Sequence, residues 1–104
     1  MIPDEDATQE ARMRSWLVSL GYQQPYGTTD AEIRRRLGIT GKCADFVGYH
    51  PEQGRWLVAE SKGGDIEAAY LQIANTLQGL LARETAAVGN TELQISSAHN
   101  NMSD

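Results

Sequence analysis

Three charged side chains stand in the most apolar part of this chain. Residues 43–64 read CADFVGYHPEQGRWLVAESKGG, with Asp45 at the start of the first apolar run and Glu60 and Lys62 at the end of the second. Two carboxylates can hold a divalent cation, and an amine beside them can assist an attacking water. The chemistry therefore depends on whether the fold brings the three groups together.

The two apolar runs, residues 44–49 and 55–61, predict a β-hairpin. Both are rich in Val, Phe, Tyr and Trp, and the intervening HPEQG contains the proline and glycine of a turn. We centre the turn on residues 52–53, since a slip by one residue would separate the matching apolar pairs. This register predicts three opposed pairs on one face: Tyr49–Trp56, Val47–Val58 and Asp45–Glu60.

The acidic pair needs an explanation, because directly opposed like charges destabilise a sheet. Their Cβ atoms would lie roughly 4.5–5.5 Å apart, and a hard ion such as Mg²⁺ would compensate the repulsion. Lys62 shares the face of Glu60, so the group suits metal-assisted attack of water on a phosphodiester. Charged residues are also common at strand ends, and a surface without catalytic function remains an alternative.

Helices are predicted on both sides of the hairpin. Asp6 can cap a first helix over residues 6–20 that ends at Gly21. Glu10 and Arg14 project inside its apolar arc, either toward other groups or outward from its edge. The arc comprises Ala7, Ala11, Met13, Trp16, Leu17, Val18 and Leu20.

The remaining segments are predicted with different precision. Residues 22–28 are irregular or hold a short strand. Thr29 and Glu32 have the spacing of a capping box, which predicts a short helix after them. The alternative is an extended segment over residues 33–39. Asp65 can cap a last helix that runs to about residue 83. A last strand could follow over residues 91–97. Residues 98–104 would form a disordered tail. We predict one domain over 1–104, with a core of about 6–97. The apolar face of the last helix comprises Ile66, Ala69, Tyr70, Ile73, Leu77, Leu80 and Leu81.

Composition narrows the class of protein. A net charge of −5 argues against coating nucleic acid by bulk charge, although a basic cluster of Arg34, Arg35, Arg36 and Lys42 could face phosphates or form a solvated surface. The single Cys43 excludes an internal disulfide and favours the cytoplasm, and with two distant histidines it cannot form a zinc site. No apolar run is long enough to span a membrane. A homodimer or a larger parent protein is plausible for so small a domain.

The spacing of the charged residues resembles the PD-(D/E)xK nuclease superfamily, which has the restriction endonuclease-like fold. Asp45 is followed by fourteen residues and then by Glu60-Ser61-Lys62, and an apolar strand leads into each part. Ala44 replaces the proline that names the motif. The resemblance covers residues 6–83 and implies an α/β (α+β) domain with a small central mixed sheet, whose catalytic hairpin is flanked by helices.

The resemblance also implies roles for single residues. Asp45 and Glu60 would bind Mg²⁺ or Mn²⁺, with the Ser61 carbonyl as a further ligand, and Lys62 would serve the attacking water. Glu10 matches an acid that many members carry on the first helix. Gln72 matches a glutamine on the helix after the lysine. Thr76 stands where exonuclease-like members have a tyrosine, which weakens the exonuclease interpretation.

Three functions follow from these observations. The leading hypothesis is a divalent-metal-dependent nuclease that hydrolyses DNA phosphodiester bonds, of restriction, resolvase or excision type. The alternative is a catalytically inactive nuclease-like subunit for DNA binding or assembly, which the acidic charge and small size favour. The third is an interaction protein whose acids are surface residues. A homodimer or a partner subunit could supply specificity.

Overall fold

The computed structural model of this protein describes residues 5–61 and 64–88. These residues form three helices and a two-stranded antiparallel sheet, an α+β arrangement as predicted at that level. None of their helices is long and apolar enough to cross a bilayer. Lys62, the strand predicted over 91–97 and the predicted tail lie outside the described residues. In chain order the elements are α1 (Glu5–Ser19), α2 (Asp30–Leu37), β1 (Phe46–His50), β2 (Arg55–Ala59) and α3 (Ile66–Val88).

The register predicted for the hairpin is confirmed. Val47 pairs with Val58, and Tyr49 pairs with Trp56. Gly54, at φ +60°, completes the turn, and its N–H donates to the His50 carbonyl at 2.8 Å. This turn works because glycine adopts the left-handed backbone region without steric cost. Alternation of side chains then assigns each strand residue to one face of the sheet.

Residues 22–28 add a short bridge to the other side of β1. The Gln23 N–H donates to the Tyr49 carbonyl at 2.8 Å, and the Tyr49 N–H donates to the Gln23 carbonyl at 2.9 Å. β1 therefore lies between Gln23 and β2, which places it at the centre of the described sheet.

Two of the three predicted helix caps are confirmed. The third is wrong, because Asp6 lies inside α1, which begins at Glu5. Thr29 caps α2 by accepting a hydrogen bond from the Glu32 N–H at 3.2 Å, and Gly38 ends the helix at φ 67°. The helical alternative for this segment is thus correct and the extended one is wrong. Asp65 caps α3 by accepting from the Ala68 N–H at 3.0 Å. α3 continues to Val88, past the predicted end near residue 83.

Each face of the hairpin has its own apolar cluster. Phe46 points toward α1, where it packs with Met13 and Leu17. Val47 points to the opposite face, where a second cluster joins α2 and α3 to the sheet through Ile33, Leu37, Cys43 and Leu80. The central strand β1 is consequently covered by helices on both faces. Packing in the two clusters fixes the position of the strand that begins directly after Asp45.

The predicted apolar arcs of the helices were too broad. On α1, Trp16 is 61% and Val18 47% exposed, and on α3, Ile66 is 55% and Tyr70 64% exposed. Neighbouring strands lie only about 5 Å apart, so a sheet of two strands covers a narrow stripe of a helix. Among the α1 side chains that the structure describes, which begin at residue 9, Met13 and Leu17 are therefore the buried ones.

Candidate functional site

Asp45 and Glu60 lie side by side at the open end of the hairpin. The Asp45 N–H donates to Glu60 Oε1 at 3.0 Å, and the Ser61 N–H donates to Asp45 Oδ2 at 3.0 Å. Each carboxylate therefore accepts a backbone hydrogen bond from the opposite chain segment. The backbone pairing of the strands ends at Phe46 and Ala59, and these bonds between main chain and side chain hold Asp45 beside Glu60 just beyond it, as the predicted register requires.

Glu10 reaches the same place from α1. It lies on the side of the helix that faces the sheet, and its carboxyl group interacts with that of Asp45. The position of Glu10 inside the apolar arc is thereby explained, because that part of the arc faces the hairpin end. The structure thus brings together Glu10, Asp45 and Glu60, while Lys62 lies outside the described residues.

The environment of Asp45 raises its pKa to about 6. Burial is the main cause, since it disfavours the charged form of the carboxyl. The Ser61 N–H opposes this by stabilising the carboxylate, the neighbouring Glu10 raises the pKa further, and Glu60 lowers it. A carboxyl group in this position carries an electrostatic cost when ionised, and a cation would relieve that cost.

Arg14 lies one helical turn after Glu10 and contacts the acidic group. Its Nη2 is 3.0 Å from Glu10 Oε2 and donates to the Asp45 carbonyl at 3.3 Å. The side chain is 24% exposed, and its Nε is buried with no hydrogen-bond partner among the described residues. Arg14, like Glu10, lies inside the predicted apolar arc of α1, and its ion pair with Glu10 explains this position.

Thr76 supports the segment that leads into Asp45. Its hydroxyl accepts a hydrogen bond from the Ala44 N–H at 2.7 Å and donates to the Gln72 carbonyl at 2.8 Å. The residue is fully buried on α3. Sequence reasoning treated Thr76 only as a missing tyrosine, and the signal it overlooked was a hydroxyl at a buried position of an apolar helix face.

Gln72 lines a pocket of about 320 Å³ between α3 and the loop that follows α2. The other lining residues are Lys42, Ala68, Leu71 and Asn75. Asn75 anchors the loop by donating to the carbonyls of Thr40 at 3.2 Å and Lys42 at 2.9 Å. The Gln72 Oε1 atom is buried without a hydrogen-bond partner in the described part of the chain.

The predicted basic cluster is divided by the fold. On α2, Arg34 pairs with Asp30 at 3.2 Å and Arg36 pairs with Glu32 at 3.8 Å, each one turn apart. Arg35 is exposed on the same helix. Lys42 lies at the pocket instead. Contacts with phosphates stay a prediction for all four residues of the cluster. Two of these residues, Arg34 and Arg36, already form ion pairs within α2.

The donor chemistry of the acidic group suits a hard divalent ion. Carboxylates have two oxygens and several lone pairs, so an oxygen that accepts an N–H retains capacity for a cation. Across residues 5–61 and 64–88, however, no three side chains of His, Cys, Asp or Glu are arranged to hold an ion. Asp45, Glu60 and Glu10 would have to reorient around a cation. The ligand roles of Asp45, Glu60 and Ser61 accordingly stay predictions.

Comparison with known proteins adds nothing to this geometry. No family model, no curated protein and no solved structure matches the chain. Any function must therefore be argued from the chemistry of its own residues. The residues that matter most are those at the open end of the hairpin.

Proposed function

We propose that this protein is a divalent-metal-dependent nuclease that hydrolyses DNA phosphodiester bonds, with a restriction endonuclease-like core of the PD-(D/E)xK kind. The observation that carries the proposal is the exchange of backbone hydrogen bonds between Asp45 and the segment of Glu60 and Ser61, with Glu10 alongside. Acidic residues rarely converge at a half-buried site without a cation or a proton to compensate them.

The residues at the open end of the hairpin would have distinct roles in metal binding and in activating water. Asp45 and Glu60 would hold Mg²⁺ or Mn²⁺ together with the Ser61 carbonyl, and Glu10 would lend a further carboxylate. The bound ion would polarise the phosphate and lower the pKa of water. Lys62 would orient the attacking water and stabilise charge that develops on the phosphate. The N–H groups of Asp45 and Ser61 hold the two carboxylates beside each other before an ion binds.

Substrate contacts would come from the surfaces around this end. Exposed Arg35 could contact the DNA backbone without breaking an ion pair seen on α2, and Lys42 with Gln72 would contact a strand that enters their pocket. Cutting both strands of a duplex would favour a homodimer, or a partner subunit that supplies specificity.

A catalytically inactive DNA-binding or assembly subunit is the second candidate. The observation in its favour is that the acids of the site are engaged internally, with Glu10 paired to Arg14 and the two hairpin acids bonded to main-chain N–H groups. An ion would have to replace part of this network. Retention of the network in the presence of millimolar Mg²⁺ would support the second candidate.

Cleavage of plasmid, linear and branched DNA with Mg²⁺ or Mn²⁺ tests the proposal. Asp45→Asn, Glu60→Gln and Lys62→Ala should each reduce the cleavage rate by about 100-fold or more, because several kcal/mol of charge stabilisation would be lost. Glu52→Gln is the matched control, since Glu52 is an exposed acid at the opposite end of the same hairpin. Its rate should equal that of the wild type.

Two results would contradict the proposal in different ways. Cleavage that survives Asp45→Asn and Lys62→Ala together would mean that the activity comes from another site or another protein. Absence of cleavage, combined with no heat of Mg²⁺ or Mn²⁺ binding in calorimetry, would favour the inactive subunit.

A further inference from the structure

Arg14 occupies a position that the proposed metal site does not require. It lies between Glu10 and the main chain of Asp45, and one guanidinium nitrogen contacts both of them. Mere packing would not aim a guanidinium at a carboxylate that is needed as a ligand. A cation so close to the site must change how strongly that site attracts another cation.

The contacts show what Arg14 compensates. Its Nη2 is bonded to the Glu10 carboxylate and to the Asp45 carbonyl oxygen, and the carboxyl group of Asp45 is bonded to the Ser61 N–H instead. At 24% and 38% exposure, the Arg14 and Glu10 side chains are partly shielded from water, so their attraction is stronger than that of a fully exposed pair.

We propose that Arg14 is the resident counter-ion of the acidic site: it stabilises the metal-free protein and competes with the divalent ion for Glu10. The inference rests on the proposed function, because it presumes that a divalent ion binds there. A divalent ion that recruits Glu10 has to displace the guanidinium first. Arg14 thereby lowers the affinity of the site for the divalent ion.

Removal of Arg14 should have two opposite effects. Arg14→Gln frees Glu10 for a divalent ion, so Mn²⁺ should bind about five- to tenfold more tightly, as expected for the loss of a partly shielded ion pair. The same variant loses its counter-ion in the absence of metal, so its unfolding midpoint in urea should fall. A residue that only packs would lower the stability without raising the affinity.

Isothermal titration calorimetry with Mn²⁺ on the full chain provides the affinities, and urea unfolding in a chelator provides the stabilities. Arg12→Gln is the matched control, because Arg12 is an exposed arginine of the same helix. We expect this control to show the wild-type affinity for Mn²⁺. Glu10→Gln combined with Arg14→Gln should lose most of the gain in affinity, since the freed carboxylate is then absent.

Each outcome has a defined meaning. Tighter Mn²⁺ binding by Arg14→Gln, absent in Arg12→Gln, supports the proposal. Equal or weaker binding by Arg14→Gln, while the wild type binds Mn²⁺ and Glu60→Gln does not, overturns the role of Arg14 and leaves the metal site intact. Absence of binding in both the wild type and Arg14→Gln overturns the metal site and the counter-ion role together.

Discussion

The hairpin has a buried polar side chain at its turn end and a half-buried one at its open end. Beside the turn, His50 is 7% exposed; Nδ1 accepts from the Gln53 N–H at 3.3 Å, and Nε2 lies 2.9 Å from the Leu20 carbonyl. These partners assign the ring proton to Nε2 and use both nitrogens. At the open end, Asp45 also accepts a main-chain hydrogen bond, yet it lies beside two further acids.

This difference separates a structural polar group from a candidate functional one. Both side chains are hydrogen-bonded, so hydrogen bonding alone does not distinguish them. At the turn end the partners are neutral backbone groups, and the ring of His50 joins the Leu20 carbonyl to the hairpin turn. At the open end acidic groups are held in proximity, and the pKa of Asp45 is raised mainly by burial, with a further contribution from Glu10. Substitutions at the turn should therefore affect stability, whereas those at the open end should affect chemistry and pH dependence.

The largest change in stability is expected at the turn end. His50→Ala should lower the free energy of unfolding by about 2–3 kcal/mol, because it leaves a cavity and deprives the Gln53 N–H and the Leu20 carbonyl of their partner. Urea denaturation measures the change. Gln24→Ala, in the segment of residues 22–28 that bridges to β1, is expected to cost less than half as much. A loss below about 1 kcal/mol for His50→Ala would contradict the structural role.

Thr76 links α3 to the open end, so its removal should have an intermediate effect. Thr76→Val keeps the shape but leaves the Ala44 N–H buried without its acceptor, at a cost of about 1–2 kcal/mol. Thr85→Val is the matched control, because Thr85 is exposed and, among the described residues, its Oγ1 bonds the Leu81 carbonyl of its own helix. Equal effects of the two substitutions in thermal unfolding would exclude a special role for Thr76.

The pKa of Asp45 predicts a smaller, pH-dependent effect at the open end. The folded value of about 6 exceeds the ordinary 3.8, so folding is favoured where Asp45 is protonated and this contribution disappears as pH rises from about 4 to above 6. Solvent screening limits the change to about 1 kcal/mol. Asp45→Asn should thus be more stable than the wild type at pH 7.5 and equal to it near pH 4.

Urea titrations at several pH values in a chelator test this expectation. Glu52→Gln serves as the control, because it removes an exposed acid near the turn, and its pH profile should match the wild type. A wild-type protein whose stability rises between pH 4 and 7 relative to Asp45→Asn would contradict the raised pKa of Asp45 and the repulsion inferred at the open end.

The smallest effect is expected on α2, away from both ends of the hairpin. Arg35→Gln should change the stability by less than about 0.5 kcal/mol, since the residue is exposed. If Arg35 contacts a phosphate, the slope of log affinity for DNA against log salt should become shallower by about 1. Fluorescence anisotropy over a salt series measures the slope. An unchanged slope would assign Arg35 to the solvated face of the helix.

Much of the hairpin and the caps could be predicted from local patterns. A period of two residues, a turn with Pro51 and Gly54, and matching apolar pairs leave one register, and that register brings Asp45 to Glu60. Helix capping by Thr29 and Asp65 could also be predicted from the sequence, because the capping residue and its hydrogen-bond donor are only three positions apart. These features depend on short-range geometry, which the order of residues specifies directly.

The placement of the helices on the hairpin required long-range packing. Periodicity gave α1 an apolar arc that included Trp16 and Leu20, but it could not tell which part of the arc a two-stranded sheet would cover. The contact of Arg14 with the Asp45 carbonyl and the support of Ala44 by Thr76 each join residues more than thirty positions apart. Such contacts depend on how whole elements pack, since a sequence period specifies a face of an element but not its neighbour.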